Sequence, residues 1–86
     1  MKTVILYRPN SEGETSVQAY IREFERETGR SIELIDSTTV SGVQVARLYD
    51  VVQFPAIIAM REDGSFIEIW QERSKWPTIS ELSFYN

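Results

Sequence analysis

The stretch Ala46-Arg-Leu-Tyr-Asp-Val-Val-Gln-Phe-Pro-Ala-Ile-Ile-Ala-Met60 changes character once, at Phe54-Pro55. Before the proline, Val45, Leu48, Tyr49 and Val52 recur at helical spacing. After it, Ala56 to Met60 is an unbroken apolar run. Proline disfavours helical backbone in the residue preceding it, so a helix entering this stretch ends by Phe54. A short apolar run with no polar alternation reads as a strand buried on both faces, which places it inside a sheet covered on both sides. A helix delivering the chain into such a strand is a layered α/β arrangement.

The pattern continues in both directions. Downstream, Glu62-Asp63-Gly64 reads as a hairpin turn, with Gly64 free to take positive φ, leading into an antiparallel strand Phe66-Ile67-Glu68-Ile69-Trp70. Pro77 and the spacing Thr78-x-x-Glu81 open a short last helix, with Ile79 and Leu82 inward and Phe84 or Tyr85 extending it. Upstream, Ser41-x-x-Gln44 has capping spacing and predicts the start of the second helix, about three turns long. Ser31 to Ile35 alternates as an edge strand, with Ile32 and Leu34 on one face and Glu33 on the other. The spacing Thr15-x-x-Gln18 predicts a first helix over roughly Thr15 to Thr28, with Val17, Tyr20, Ile21 and Phe24 on its inner face and Gly29 beyond its end. Lys2 to Tyr7 contains Val4-Ile5-Leu6, a second strand for the middle of the sheet. The predicted order is βαβαββα in one domain, with a right-handed parallel first unit.

The 86 residues suffice for a single core, and an apolar fraction of 42% with 12% aromatics suits a globular chain. The 13 acidic and 9 basic side chains leave a net charge of -4, and the cations are scattered, which argues against nucleic acid as a partner. The apolar run at the start is too short for a signal-peptide core or a membrane span, so no membrane partner and a cytoplasmic location are expected. Cysteine and histidine are both absent. Their absence removes disulfides, thiolate nucleophiles, Cys/His zinc sites and every Ser-His or Cys-His pair, and no cofactor is expected.

Two segments resemble the thioredoxin-like superfamily: Val4 to Thr15, similar to the first strand and active-site loop of glutaredoxins, and Ala46 to Met60. In the second, Ala46, Tyr49, Val51, Pro55 and, beyond it, Gly64 match the thioredoxin pattern of helix, proline, apolar strand and hairpin. The resemblance implies a thioredoxin-like α/β fold with a four-stranded mixed sheet of order 2-1-3-4, three flanking helices and a cis Pro55. It also shows what is missing. Aligned on Tyr7 and Pro9, the family's two cysteines fall near Ser11 and Glu14, and the position of its buried acid falls near Ile5. Thiol-disulfide exchange is therefore excluded, and Ser11 has no histidine to take its proton.

Backbone pairing with an extended peptide or with glutathione, which the family carries out beside its cis proline, needs no cysteine. The candidate binding residues are accordingly Arg8, Pro9, Asn10 and Ser11 on the loop and Phe54, Pro55 and Ala56 on the proline segment. Each also has a purely architectural reading. Pro55 builds a turn, Phe54 packs in the core, Ser11 caps a helix and Arg8 is a surface cation. Glu12, Glu14 and Asp36 read as solvated charges, and Trp70, Trp76 and Tyr85 as the edge of a small core. The expected function is a redox-inactive module that binds a protein or peptide. The alternative is glutathione binding of the transferase kind, with Tyr7 in the place of an activating tyrosine. A third reading is a structural element that dimerises through the strand Phe66 to Trp70.

Overall fold

In the computed structural model, which describes residues 1–85, the chain forms β1 (Lys2–Tyr7), α1 (Gly13–Thr28), β2 (Glu33–Asp36), α2 (Val40–Leu48), β3 (Ala56–Met60), β4 (Phe66–Trp70), a 3-10 turn (Arg73–Lys75) and α3 (Ile79–Ser83). The four strands make one mixed sheet ordered β2-β1-β3-β4, as expected from the sequence. β1 runs parallel to β2, while β3 is antiparallel to both β1 and β4.

The two apolar runs occupy the middle of the sheet because both of their faces are covered. Strand alternation sends Ile5 and Ile57 into one cluster with Val17, Tyr20 and Phe24 of α1 and Leu82 of α3. It sends Val4, Leu6, Ala56, Ile58 and Met60 into a second cluster under α2, closed by Val51. Burying a Leu, Ile, Val or Phe side chain contributes about 2 kcal/mol relative to leaving it in water, so these two strands anchor both layers. Among the described residues no helix is long and apolar enough to cross a membrane.

Strands β1, β3 and β4 and the start of α3 lie on the predicted residues, but the starts of the first two helices do not. α1 begins at Gly13, two residues ahead of Thr15, because its first turn is closed by other groups. Glu14 N–H donates to the Ser11 carbonyl at 3.1 Å, and the Glu14 carboxylate reaches back to accept Asn10 N–H at 2.9 Å. α2 begins at Val40, capped by the Thr39 hydroxyl, which accepts Gly42 N–H at 3.0 Å, and not at the predicted Ser41. Only Thr78 and Glu81 form the reciprocal box that the spacing suggested, and those hydrogen bonds hold the Glu81 carboxyl below its usual range.

The far end of α2 also differs. The helix stops at Leu48, and Asp50 takes a left-handed φ of 55°. Val51 N–H then donates to the Ala46 carbonyl at 2.8 Å and Asp50 N–H to Arg47 at 3.4 Å, the paired bonds of a Schellman ending. The reversal turns Val52 outward to 78% exposure and leaves Leu48 71% exposed, although both share the helical spacing of the half-buried Val45 and Tyr49. β2 covers Glu33–Asp36 and not Ser31–Ile35. Ile32 is buried ahead of the strand, and Leu34 stays 39% exposed on the uncovered edge. α3 stops before Phe84, which is exposed, and Tyr85 packs edge-on against Trp70 at 5.3 Å.

Gly42 lets α2 rest directly on the chain leaving β2: a Cβ there would lie 2.0 Å from the Asp36 carbonyl oxygen. Gly42→Ala is expected to cost about 3 kcal/mol, the upper end of ordinary overpacking, because backbone and not a flexible side chain blocks the methyl group. Gly29→Ala, with φ at +70° and open space around it, should lose only about 1 kcal/mol. Urea denaturation midpoints measure both, and equal losses would show that this contact does not hold α2.

Candidate binding site at the end of the sheet

β1 and β3 stop together. Leu6 faces Ala56 in the last register pair, and continuing the ladder would set Tyr7 opposite Pro55 and Arg8 opposite Phe54. Proline has no N–H to give, so the ladder ends there. The Phe54-Pro55 peptide is cis. Pro55 is buried beneath the first turn of α1, where a Cβ on Gly13 would stand 3.0 Å from Pro55 Cδ. The Arg8 guanidinium lies over the Phe54 ring, 5.1 Å from its centroid, a cation–π contact. The loop after β1 and the proline segment therefore form one surface.

The seven predicted residues divide by exposure. Arg8, Asn10 and Ser11 are exposed, Pro9 and Phe54 are half-buried, and Pro55 and Ala56 are buried, so these last two support the surface from beneath. The loop is held by its own bonds. Asn10 adopts a left-handed φ of 58°, a conformation asparagine tolerates, and the Ser11 hydroxyl donates to the Arg8 carbonyl at 2.6 Å. Ser11 and Glu14 thus both hold the loop in shape, and Ile5 is fully buried among apolar side chains. What the arrangement offers is hydrogen bonding and an aromatic wall.

Gln71 completes the site. Its Oε1 accepts Val52 N–H at 2.8 Å and Gln53 N–H at 2.9 Å, fixing the approach to the proline. Phe54 is left with a backbone N–H and a carbonyl that have no partner among the described residues. Sequence reasoning missed Gly13 and Gln71. Gly13 sits in a loop where glycine needs no special explanation, and Gln71 follows a strand without any pattern linking it to Val52.

Beside the site, Arg73 is stacked on the rings of Trp76 at 4.7 Å and Tyr20 at 5.5 Å, and its Nε donates to the Ser16 hydroxyl at 2.7 Å. Trp76 is buried edge-on against Tyr20 at 5.0 Å, as the core-edge reading expects. Its Nε1 has no partner among the described residues. The Tyr20 hydroxyl donates to the Pro77 carbonyl at 2.9 Å, and burial pushes its pKa from 10.0 up to about 12, against the opposing pull of Arg73 and with a smaller upward push from Glu81.

At the outer edge of the sheet, Ile69 N–H donates to Oε1 of its neighbour Glu68 at 3.0 Å. That carboxylate occupies a donor which a second strand would need, and β4 is thereby protected against edge-to-edge pairing. No family model matches this chain, and no curated protein matches it.

Two outcomes follow from this geometry. Replacing Gln71 by Leu leaves two amides without acceptors. At about 1 kcal/mol for each hydrogen bond lost, hydrogen exchange at Val52 and Gln53 should accelerate roughly thirtyfold. Unchanged exchange at both amides would show that Gln71 does not fix the segment. For Tyr20, a folded-state pKa above the unfolded one means a stabilising contribution that is complete below pH 10 and lost as pH rises through 12. Ultraviolet titration should show a late phenolate phase near pH 12 that Tyr20→Phe removes. A late phase that Tyr20→Phe leaves unchanged would refute it.

Proposed function

We propose that this chain is a redox-inactive, thioredoxin-like binding module that takes a protein or extended peptide at the Arg8–Ser11 loop and Phe54, with the cytoplasm as its compartment. The observation that carries this reading is the unpartnered backbone N–H and carbonyl of Phe54. They lie at the end of a sheet whose neighbouring amides, Val52 and Gln53, are already taken by Gln71. A segment in extended conformation can pair with both groups at once, which is how strand addition gains affinity. Specificity falls to the side chains around the pair, Arg8 and Phe54 foremost. With no cysteine or histidine in the sequence and the Ser11 hydroxyl donated to a carbonyl, the site has no activated nucleophile.

The glutathione alternative rests on Tyr7, whose half-buried side chain packs against the α1 and α3 cluster. Isotope-edited NMR titration separates the two readings. Amide shifts concentrated at Arg8 to Ser11 and at Phe54 with extended peptides, and none with glutathione at millimolar concentration, are expected of the module. Shifts in the same residues with glutathione alone would replace it by the transferase-like reading. Shifts with neither would overturn the site.

A further inference from the structure

A groove of about 350 Å³ opens beside Phe54 on the α2 side of the site, lined by Val43, Ala46, Arg47, Val51, Val52 and Phe54, with Asp50 and Ser37 at its rim. Its apolar walls are open to solvent: Val52 is 78% and Val43 39% exposed. The contrast with α1 is plain, because the outward face of that helix carries Gln18, Arg22, Glu25 and Arg26. Lone exposed valines need no explanation, but these two share one concave surface with the half-buried ring that carries Arg8.

The chain carries a net -4, and among the described residues its ion pairs occupy the Met1 amine, Lys2, Arg26 and Lys75. The guanidinium groups of Arg8 and Arg47 have neither an ion pair nor a hydrogen bond among the described residues. Arg8 lies over Phe54, and Arg47 lines the groove that Phe54 also lines. Asp50 balances Arg47 at the rim, the Glu14 carboxylate holds Asn10 N–H on the Arg8 loop, and the Asp36 carboxylate accepts both the N–H and the hydroxyl of Thr38, at 2.8 and 2.6 Å. What sets Arg8 and Arg47 apart is therefore guanidinium donors that no carboxylate among the described residues takes, one on each side of Phe54.

From these features we infer that the segment recognised here is acidic and apolar: an extended peptide that seats one large aliphatic side chain among Val43, Val52 and Phe54 and carries carboxylates on either side of it for Arg8 and Arg47. The inference rests on the proposed pairing at Phe54 and names the partner chemistry of that same site. A strand sends alternate side chains to one side, so a peptide paired with Phe54 necessarily presents a side chain to the adjoining groove. The exposed valines favour an apolar one. The two unpaired guanidiniums select its neighbours by charge, through attraction to carboxylates and through the cost of setting an ammonium beside them.

The test uses the full chain and three capped nine-residue peptides of otherwise identical sequence: a central leucine flanked by glutamates, the same with lysines for the glutamates, and the glutamate peptide with alanine at the centre. The glutamate–leucine peptide is expected to bind at least tenfold more tightly than either of the others at low salt. Its advantage over the lysine peptide should shrink as salt is raised. Amide shifts are expected at Val43, Arg47 and Val52 as well as at Phe54. Arg47→Glu should reverse the preference between the glutamate and lysine peptides, and Val52→Asp should remove the preference for leucine over alanine while the circular dichroism spectrum stays that of the wild type. If all three peptides shift Phe54 and the Arg8 loop with equal affinity, the acidic–apolar assignment is overturned and the binding site stands. If none shifts either segment, both fall. Shifts at Phe54 without any at Val43 or Arg47 also overturn the assignment, because the groove would then be unused.

Discussion

The ladder between β1 and β3 organises this domain, because each of its residues must satisfy a backbone partner and fill one of two cores at once. Ile5 opposite Ile57 closes the α1 side, and Val4 and Leu6 with Ile58 and Ala56 close the α2 side. A slip of one residue would exchange the two faces and put every one of these side chains under the wrong helix, so the register is held by the whole apolar content of both strands. With the register fixed, the place where pairing stops is fixed too. It stops at Pro55, which lacks a donor, and the next residue back, Phe54, is left beside Arg8 with no backbone partner among the described residues. The candidate site is thus the unfinished end of the element that holds the fold together.

Strands were legible because their signal is local. Val4-Ile5-Leu6 and Ala56 to Met60 are apolar without interruption, and Gly64 at a φ of 88° closes the hairpin with Arg61 and Ser65 as its turn residues demand. Helix starts were less so. Each of the three predicted helix starts carries Thr or Ser three residues ahead of Glu or Gln, and of these only Thr78 with Glu81 uses the spacing. At the other two, groups outside the spacing arrive first: the Glu14 carboxylate at Asn10 for α1 and the Thr39 hydroxyl at Gly42 for α2. The capping spacing shows where a cap is possible; the path of the incoming chain decides whether it forms.

Val52 and Leu48 show a related limit. Their spacing fits a continuing helix, but Asp50 enters the left-handed region and reverses the chain, and aspartate announces such a reversal less clearly than glycine would. The proline segment and Arg8 could be read from the sequence because proline changes local backbone chemistry. Gln71 could not, since its importance comes from two amides it meets only after the hairpin folds back. Gly13 was missed for the same reason. Its missing side chain matters because Pro55 lies underneath, and nothing adjacent in sequence says so.

The sheet has edges as well as ends, and the chain treats them differently. β4 has an apolar outer edge of the kind that invites another strand, yet its Ile69 N–H is covered by the carboxylate of Glu68. β2 is only four residues long and carries Glu33 paired with Lys2 at 3.2 Å. A short strand bearing charge is a poor template for another strand. At Phe54, by contrast, Gln71 takes the two preceding amides, and the next donor and acceptor have no carboxylate or other partner among the described residues. The two edges of the sheet are thus blocked by charge and by length, while its end at Phe54 is held in shape by a neutral amide side chain.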